Sequence, residues 1–202
     1  MSNTKTKTKT SKTRMIAGVG MLTAVGTILQ YIEISIPIIP SFIKLDFADL
    51  SELIGAFAYG PVAGVLIALF RNLIHMAVSQ SGYVGELSNF ILGAVFALVA
   101  GLIYKHKKTK KTAVIAGIAG AVAMAVVSLP SNYFLIYPMY YKLLAPEEVV
   151  LGLYQVLLPS IKNMLQALLV FNVPFTFVKA LICAVVAIVI YKPLSKVLKG
   201  KN

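Results

Sequence analysis

The chain has 202 residues, 58% hydrophobic and only 13% charged, with a mean hydropathy of +0.84. Soluble domains are about a quarter charged and less apolar, so this composition excludes an ordinary soluble domain and points to an integral membrane protein. The net charge of +12 is segregated: fourteen of the nineteen basic residues lie before residue 15, between 105 and 111, or after 191. That is the positive-inside pattern of cytoplasmic segments next to anionic lipid, not the footprint of a nucleic-acid binder.

The apolar runs do not alternate, which excludes the strands of a membrane barrel. The expected fold is all-α, an integral membrane bundle of six transmembrane helices with both termini cytoplasmic, at about 20 residues per span. Residues 1–14 are expected to form a basic cytoplasmic tail, 15–193 a single membrane domain and 194–202 a second basic tail. Ser2 to Thr13 is a Lys/Thr repeat too polar to order, and it does not resemble a cleaved signal. Cys183, the sole cysteine, excludes an internal disulfide and a zinc site.

Span one is expected from Met15 to Glu33, with Ala17, Gly20, Ala24 and Thr27 as a stripe of small side chains. Such a stripe admits close approach of another helix, whether from a partner or from the same chain. Ile34 to Phe47 is broken by Pro37 and Pro40, yet is rich in Ile. A loop this apolar is expected to lie over the helix ends as a lid or to rest in the interface.

Residues 43–64 organise the chain. They pass from a charged loop into a helix and hold three of the seven acids, Asp46, Asp49 and Glu52. Ionisable groups at a membrane edge are functional candidates; the alternative is that Asp46 or Asp49 only caps the next helix. Span two is expected over Asp49 to Tyr59. Gly60-Pro61 makes a turn, and Gly60 with Gly64 would press spans two and three together. Span three, to about Ser79, carries Arg71 and, one turn on, His75. Arg71 needs a partner, for which Glu86 at the head of span four is a candidate. His75 is expected to be a packing histidine near the outer interface.

Span four is expected over Glu86 to Tyr104 and span five over Thr112 to Tyr137, kinked at Pro130. Tyr140 to Phe171 reads as outer material, with a helix start at Pro146-Glu147-Glu148. Span six is expected from about Asn172 to Lys192.

No phosphate-binding Gly-rich loop, no metal motif and no nucleophilic triad is present, so the chain is not expected to be an enzyme and no catalytic residue or metal ligand is assigned. What remains is a polar and aromatic belt at one depth. The outer ends of the spans bring Asp49, His75, Asn132, Tyr133, Thr176 and Lys179 to the same level, the composition of a small-molecule pocket. The alternative, an interfacial tyrosine belt, accounts poorly for Asn132 and Lys179.

Leu45-Asp46-Phe47-Ala48-Asp49, Gly60-Pro61-Val62-Ala63-Gly64, Arg71-Asn72-Leu73, Gly85-Glu86-Leu87-Ser88-Asn89-Phe90, Asn132-Tyr133-Phe134 and 174–179 (Pro-Phe-Thr-Phe-Val-Lys) resemble the riboflavin-binding S component of energy-coupling factor (ECF) transporters. The resemblance covers about Met15 to Pro193. It implies a bacterial plasma-membrane subunit that captures riboflavin outside the cell and joins a transmembrane coupling subunit and two cytoplasmic ATPases. It implies no cofactor; riboflavin is cargo, with flavin mononucleotide (FMN) as a second candidate. The ligand-binding residues implied are Lys44, Leu45, Asp46, Asp49, Asn132, Tyr133, Thr176 and Lys179, with the loop after the first helix closing over the vitamin. Ala17, Gly20 and Ala24 match the family's docking stripe. Thr176 stands where the family pattern has Asn and Ala180 where it has Gly. The other readings open at this point are an S component for a different vitamin and a membrane scaffold without a ligand.

Overall fold

The computed structural model describes residues 12–199; most of the Lys/Thr repeat lies outside them, and helix α1 (Lys12–Tyr31) takes in its last two residues. A short antiparallel hairpin follows, β1 (Ile34–Ser35) pairing with β2 (Lys44–Leu45). Then come α2 (Asp49–Tyr59), α3 (Pro61–His75), α4 (Val84–His106), α5 (Lys110–Ser131), α6 (Tyr137–Leu143), α7 (Glu147–Leu157), α8 (Met164–Ala167) and α9 (Val173–Lys199). Local chemistry sets several of these ends. Thr109 Oγ1 accepts from the Thr112 amide at the start of α5, and Asn163 Oδ1 from the Gln166 amide at the start of α8, each satisfying an orphan helix N–H.

Among the described residues, four continuous helical segments are long and apolar enough to cross a membrane: Pro61–Val78, Val84–His106, Lys110–Leu143 and Met164–Tyr191. Two of them run further outward than the sequence suggests. The fifth expected span continues to Leu143 and the sixth begins at Met164 rather than Asn172, because single wide π turns at Asn132–Ile136 and Leu168–Asn172 bridge what would otherwise be breaks. Each wide turn ends two residues before a proline, Pro138 or Pro174. A proline ring collides with the carbonyl one turn back and donates no hydrogen bond; widening that turn moves the carbonyl away and lets the helix go on. Pro130 itself lies inside α5, two residues before the first wide turn. At the other end, α9 continues past 193 to Lys199.

α4 packs between α3 and α5, α9 lies against α5 and α2, and α1 covers α2 and α3. Gly60 and Gly64 do different jobs. Gly60 has φ +109° and open space around it, so it serves the turn. A Cβ on Gly64 would lie 2.8 Å from both the Glu52 carbonyl oxygen and Ala97 Cβ, so glycine at this position lets α2, α3 and α4 approach closely. On α1 the inward small residues are Gly18, against Tyr59, and Gly26, against Ser51. Ala17, Gly20 and Ala24 face outward, whereas Thr27 is buried and bonds back to the Thr23 carbonyl at 2.9 Å.

Arg71 binds these helices together. It is fully buried and donates to Asp49 Oδ1 at 2.8 Å, to Gln30 Oε1 on α1 at 2.8 Å, and to Glu52 Oε1. Gln30 in turn donates to Asn72 Oδ1 at 3.2 Å. The expected partner Glu86 is instead held by His75, Ser79 and Ser81, because the α2 carboxylates meet Arg71 first. Buried ion pairs are costly to break from one side only. Arg71→Met should destabilise the folded protein by about 3–5 kcal/mol. The check is its thermal unfolding midpoint in detergent; a midpoint equal to the parent's would show that the cluster does not hold α1, α2 and α3 together.

Candidate functional site

A cavity of about 550 Å³ opens at the end of the bundle where the hairpin loop, α4, the α5–α6 junction and α9 converge. It lies between two packed regions. Leu92 and Met124, from the main core, close its floor, while Ile136 and Tyr137, from the smaller cluster built on α6 to α8, wall its outer part.

Of the eight residues singled out from sequence as ligand-binding, Lys44, Asp46, Asn132, Thr176 and Lys179 line this cavity. Asp49 does not line it but stands behind Lys179. Leu45 lies beside it on β2, half-buried. Tyr133 is turned away: its ring is 40% exposed and packs edge-on against Phe134. The wide turn at Asn132–Ile136 sends the Asn132 side chain inward and its neighbour outward, a rotation that spacing alone does not reveal.

Lys179 is only 5% exposed, so it does not snorkel to the surface. Its Nζ donates to Asp46 Oδ2 at 2.9 Å and lies 3.2 Å from Asp49 Oδ2. An ammonium has three N–H donors, which leaves one for the cavity. Asp46 is pinned further, its Oδ1 accepting from the Ala48 amide at 2.9 Å. Burial pushes the Asp46 carboxyl up; the Lys179 ammonium, followed by the Arg71 guanidinium, outweighs this and holds it below its ordinary value. Asp49 is no helix cap: α2 has no side-chain cap, and both Asp49 oxygens face cations.

The Asp46–Lys179 pair therefore ties the loop after α1 to α9. A second tie is aromatic. Phe42, at the loop's inner edge, sits 5.6 Å from the Tyr140 ring and 5.9 Å from the Tyr154 ring. With Ser41, Ile43 and Lys44 it forms the loop's part of the wall, while Ile38 at the tip is 74% exposed. The loop does lie over the helix ends, as its apolar composition implied.

Several site residues were not singled out as binding residues from the sequence. Tyr154 on α7 donates to Asn172 Oδ1 at 2.7 Å, Asn172 Nδ2 donates to the Tyr137 hydroxyl at 2.9 Å, and the two tyrosine hydroxyls pair. This closed triangle fixes the outer wall, and two of its members, Tyr137 and Asn172, line the cavity. Asn172 carried a signal, as a lone amide in an apolar run; Tyr154 lay in a stretch read as peripheral and carried none. His75, placed from the sequence in the polar belt but expected to serve packing, lines the cavity and pairs with Glu86 at 2.9 Å, its ring 5.2 Å from that of Tyr31.

Comparisons with known proteins bear on the family and the fold. A family model described as the substrate-specific component of ECF transporters matches residues 14–191. The chain is 31% identical over 198 residues to "Riboflavin transporter RibU" of Staphylococcus aureus (strain TCH60), covering 98% of each. It is 30% identical over 132 residues to "Riboflavin transporter FmnP" of Bacillus subtilis (strain 168), covering 64% of this chain and 70% of that one. A solved structure reported under "Structure and mechanism of the S component of a bacterial ECF transporter" superposes with a TM-score of 0.73 at 30% identity, covering 94% of this chain and 99% of that one. With a family match across nearly the whole bundle, the chain belongs to the family of ECF transporter substrate-specific components.

Proposed function

We propose that this protein is the riboflavin-capturing subunit of a bacterial ECF importer, sitting in the plasma membrane with its cavity facing outward and both termini in the cytoplasm. α1 is the fifth crossing and α2 the sixth. At 11 residues α2 covers about 16 Å, half of an apolar core of about 30 Å. It reaches only half-way because its charged first turn stops at the cavity. The basic segments before residue 15 and at 105–111 support the cytoplasmic side.

The observation that carries this reading is the cavity itself, of a size suited to a small molecule. Flat aromatic and apolar surfaces surround a few fixed donors and acceptors: the free N–H of Lys179, the Asn132 amide and the Thr176 hydroxyl. Riboflavin, the cargo named for the relatives, offers a flat ring with carbonyls that accept from Lys179 and an imide that both donates and accepts opposite Asn132. Thr176 supplies one hydroxyl where the family pattern has an amide, so the contact there is single. The loop carrying Phe42 and Asp46 moves to admit the ligand and closes to exclude water. A coupling subunit and two ATPases then drive release to the inside.

Riboflavin binding is read from quenching of flavin fluorescence, since the chain has no Trp. Lys179→Met should weaken binding at least about tenfold, equivalent to about 1.4 kcal/mol. Because that variant leaves two carboxylates without their ammonium, Asn132→Leu serves beside it and should weaken binding by a similar factor without touching a charge. Parent-like affinity in both would place the ligand elsewhere.

The outward face of Ala17, Gly20 and Ala24 is the proposed docking surface for the coupling subunit, where small side chains allow two helices to approach closely. A Cβ on Gly20 would meet nothing within 4 Å inside this chain. Gly20→Leu should therefore leave riboflavin binding and thermal stability of the isolated subunit intact and abolish uptake by the assembled transporter. Full uptake by the variant would remove this face from the interface.

A further inference from the structure

Polar groups descend one wall of the cavity as a ladder. Asn172, Thr176 and Lys179 stand four and three residues apart, so they share a helix face, and all three line the cavity. Asn172 is about 10 Å outward of Lys179 at 1.5 Å per residue. Below Lys179, α9 runs into the main core that also supplies the floor, Leu92 and Met124. The flavin reading above puts the polar edge of the ring at Lys179. The opposite edge of that ring is a dimethylbenzene, which accepts no hydrogen bond. A polar group two turns further out therefore serves the hydroxyl-bearing chain and not the ring.

Asn172 is held in a closed circuit. The Tyr154 hydroxyl donates to Asn172 Oδ1 at 2.7 Å, and Asn172 Nδ2 donates to the Tyr137 hydroxyl at 2.9 Å. A phenol carries one hydrogen. Tyr154 has committed its own to Asn172, so Tyr137 is the donor in the contact between the two tyrosines. All three side chains are buried, and each bond fixes the direction of the next. The Asn172 amide cannot turn over without breaking two of them. A primary amide has two N–H donors. One goes to Tyr137; the other has no partner among the described residues. Tyr154 does not line the cavity and stands behind Asn172. It is the one polar side chain that α7 buries, and the turn that follows α7 is pinned by Gln155 Nε2, which donates to the Ile161 carbonyl at 2.9 Å.

We propose that Asn172 is a ligand-binding residue, donating its second N–H to a hydroxyl oxygen of the ligand's side chain, and that Tyr154 on α7 is the positioning residue that fixes its amide. This rests on the flavin reading above. Removing the Tyr154 hydroxyl leaves Asn172 Oδ1 without its donor and Tyr137 without its acceptor, so the amide is free to reorient and its donor is no longer held toward the cavity. Tyr154 thus acts on the ligand through Asn172 alone.

The test compares the affinities of the purified subunit for riboflavin and for lumiflavin, which has the same ring with a methyl group in place of the hydroxyl-bearing chain. The parent should prefer riboflavin at least about tenfold. In Asn172→Leu that preference should shrink at least about fivefold, through weaker riboflavin binding. Tyr154→Phe keeps the aromatic ring and removes one hydroxyl; the preference should shrink at least about threefold, although the residue touches no ligand. Thermal midpoints without ligand show which variants fold, and Tyr154→Phe carries the test if Asn172→Leu does not. Proportional loss of both flavins in a folded variant would make the circuit a brace for the wall and overturn the proposal. An unchanged preference, or a parent that does not distinguish the two flavins, also overturns it. A parent that binds neither flavin overturns the flavin reading itself, and this inference with it.

Discussion

Five ionisable side chains buried together, Arg71 and Lys179 with Asp46, Asp49 and Glu52, are what the rest of the molecule is arranged to satisfy. Charges removed from water are tolerated only when paired. Here the pairing partners come from five separate stretches: the loop, α2, α3, α9 and, through Gln30, α1. Satisfying the cluster therefore assembles the outer half of the bundle. It also explains the short α2: its first turn must reach the cations, and its acids cannot be carried out into lipid. Glu52 rests so close to Gly93 that a Cβ there would lie 2.3 Å from Oε2, so even α4 is shaped to leave room for it.

In the proposed function, the same cluster connects structure to ligand capture. Lys179 presents its remaining N–H from an ammonium already clamped by two carboxylates, so little ordering is left to occur when a ligand arrives. One of those carboxylates, Asp46, belongs to the loop. In the proposed function, opening that loop strains a buried charge pair and closing restores it, which gives the closed state an electrostatic latch beside the Phe42 aromatic contact.

The two wide turns are the second device. A regular helix through Pro138 or Pro174 would collide with its own preceding carbonyl. Widening one turn before each proline resolves this and rotates the side chains that follow. Asn132 opens one wide turn and Asn172 closes the other, and both face the cavity. Such single wide turns often occur at functional sites. Here the outer wall depends on them, since Asn172 reaches Tyr137 and Tyr154 only from this rotated position.

Hydropathy and charge by themselves determined that this is a helical membrane protein, and the extent of α2 was legible to the residue, because a Pro-Gly punctuated apolar run has few alternatives in lipid. Lys179 and Asn132 were legible as candidate site residues because an isolated polar group in an apolar span needs a reason to be there, and Asp46 because it is an acid at the membrane edge; all three line the cavity. The partners of those residues were not legible. Arg71 had three acids within reach along the sequence, and only packing of α2 against α3 decided for Asp49 and Glu52 over Glu86. Tyr133 and Asn132 are adjacent in sequence and point to opposite sides, which the wide turn decides and hydropathy cannot register. Tyr154 belongs to the site only because α7 folds back to set it against Tyr137 and Asn172. Pairing across tens of residues is a property of which faces meet, and a one-dimensional pattern records the faces but not their meeting.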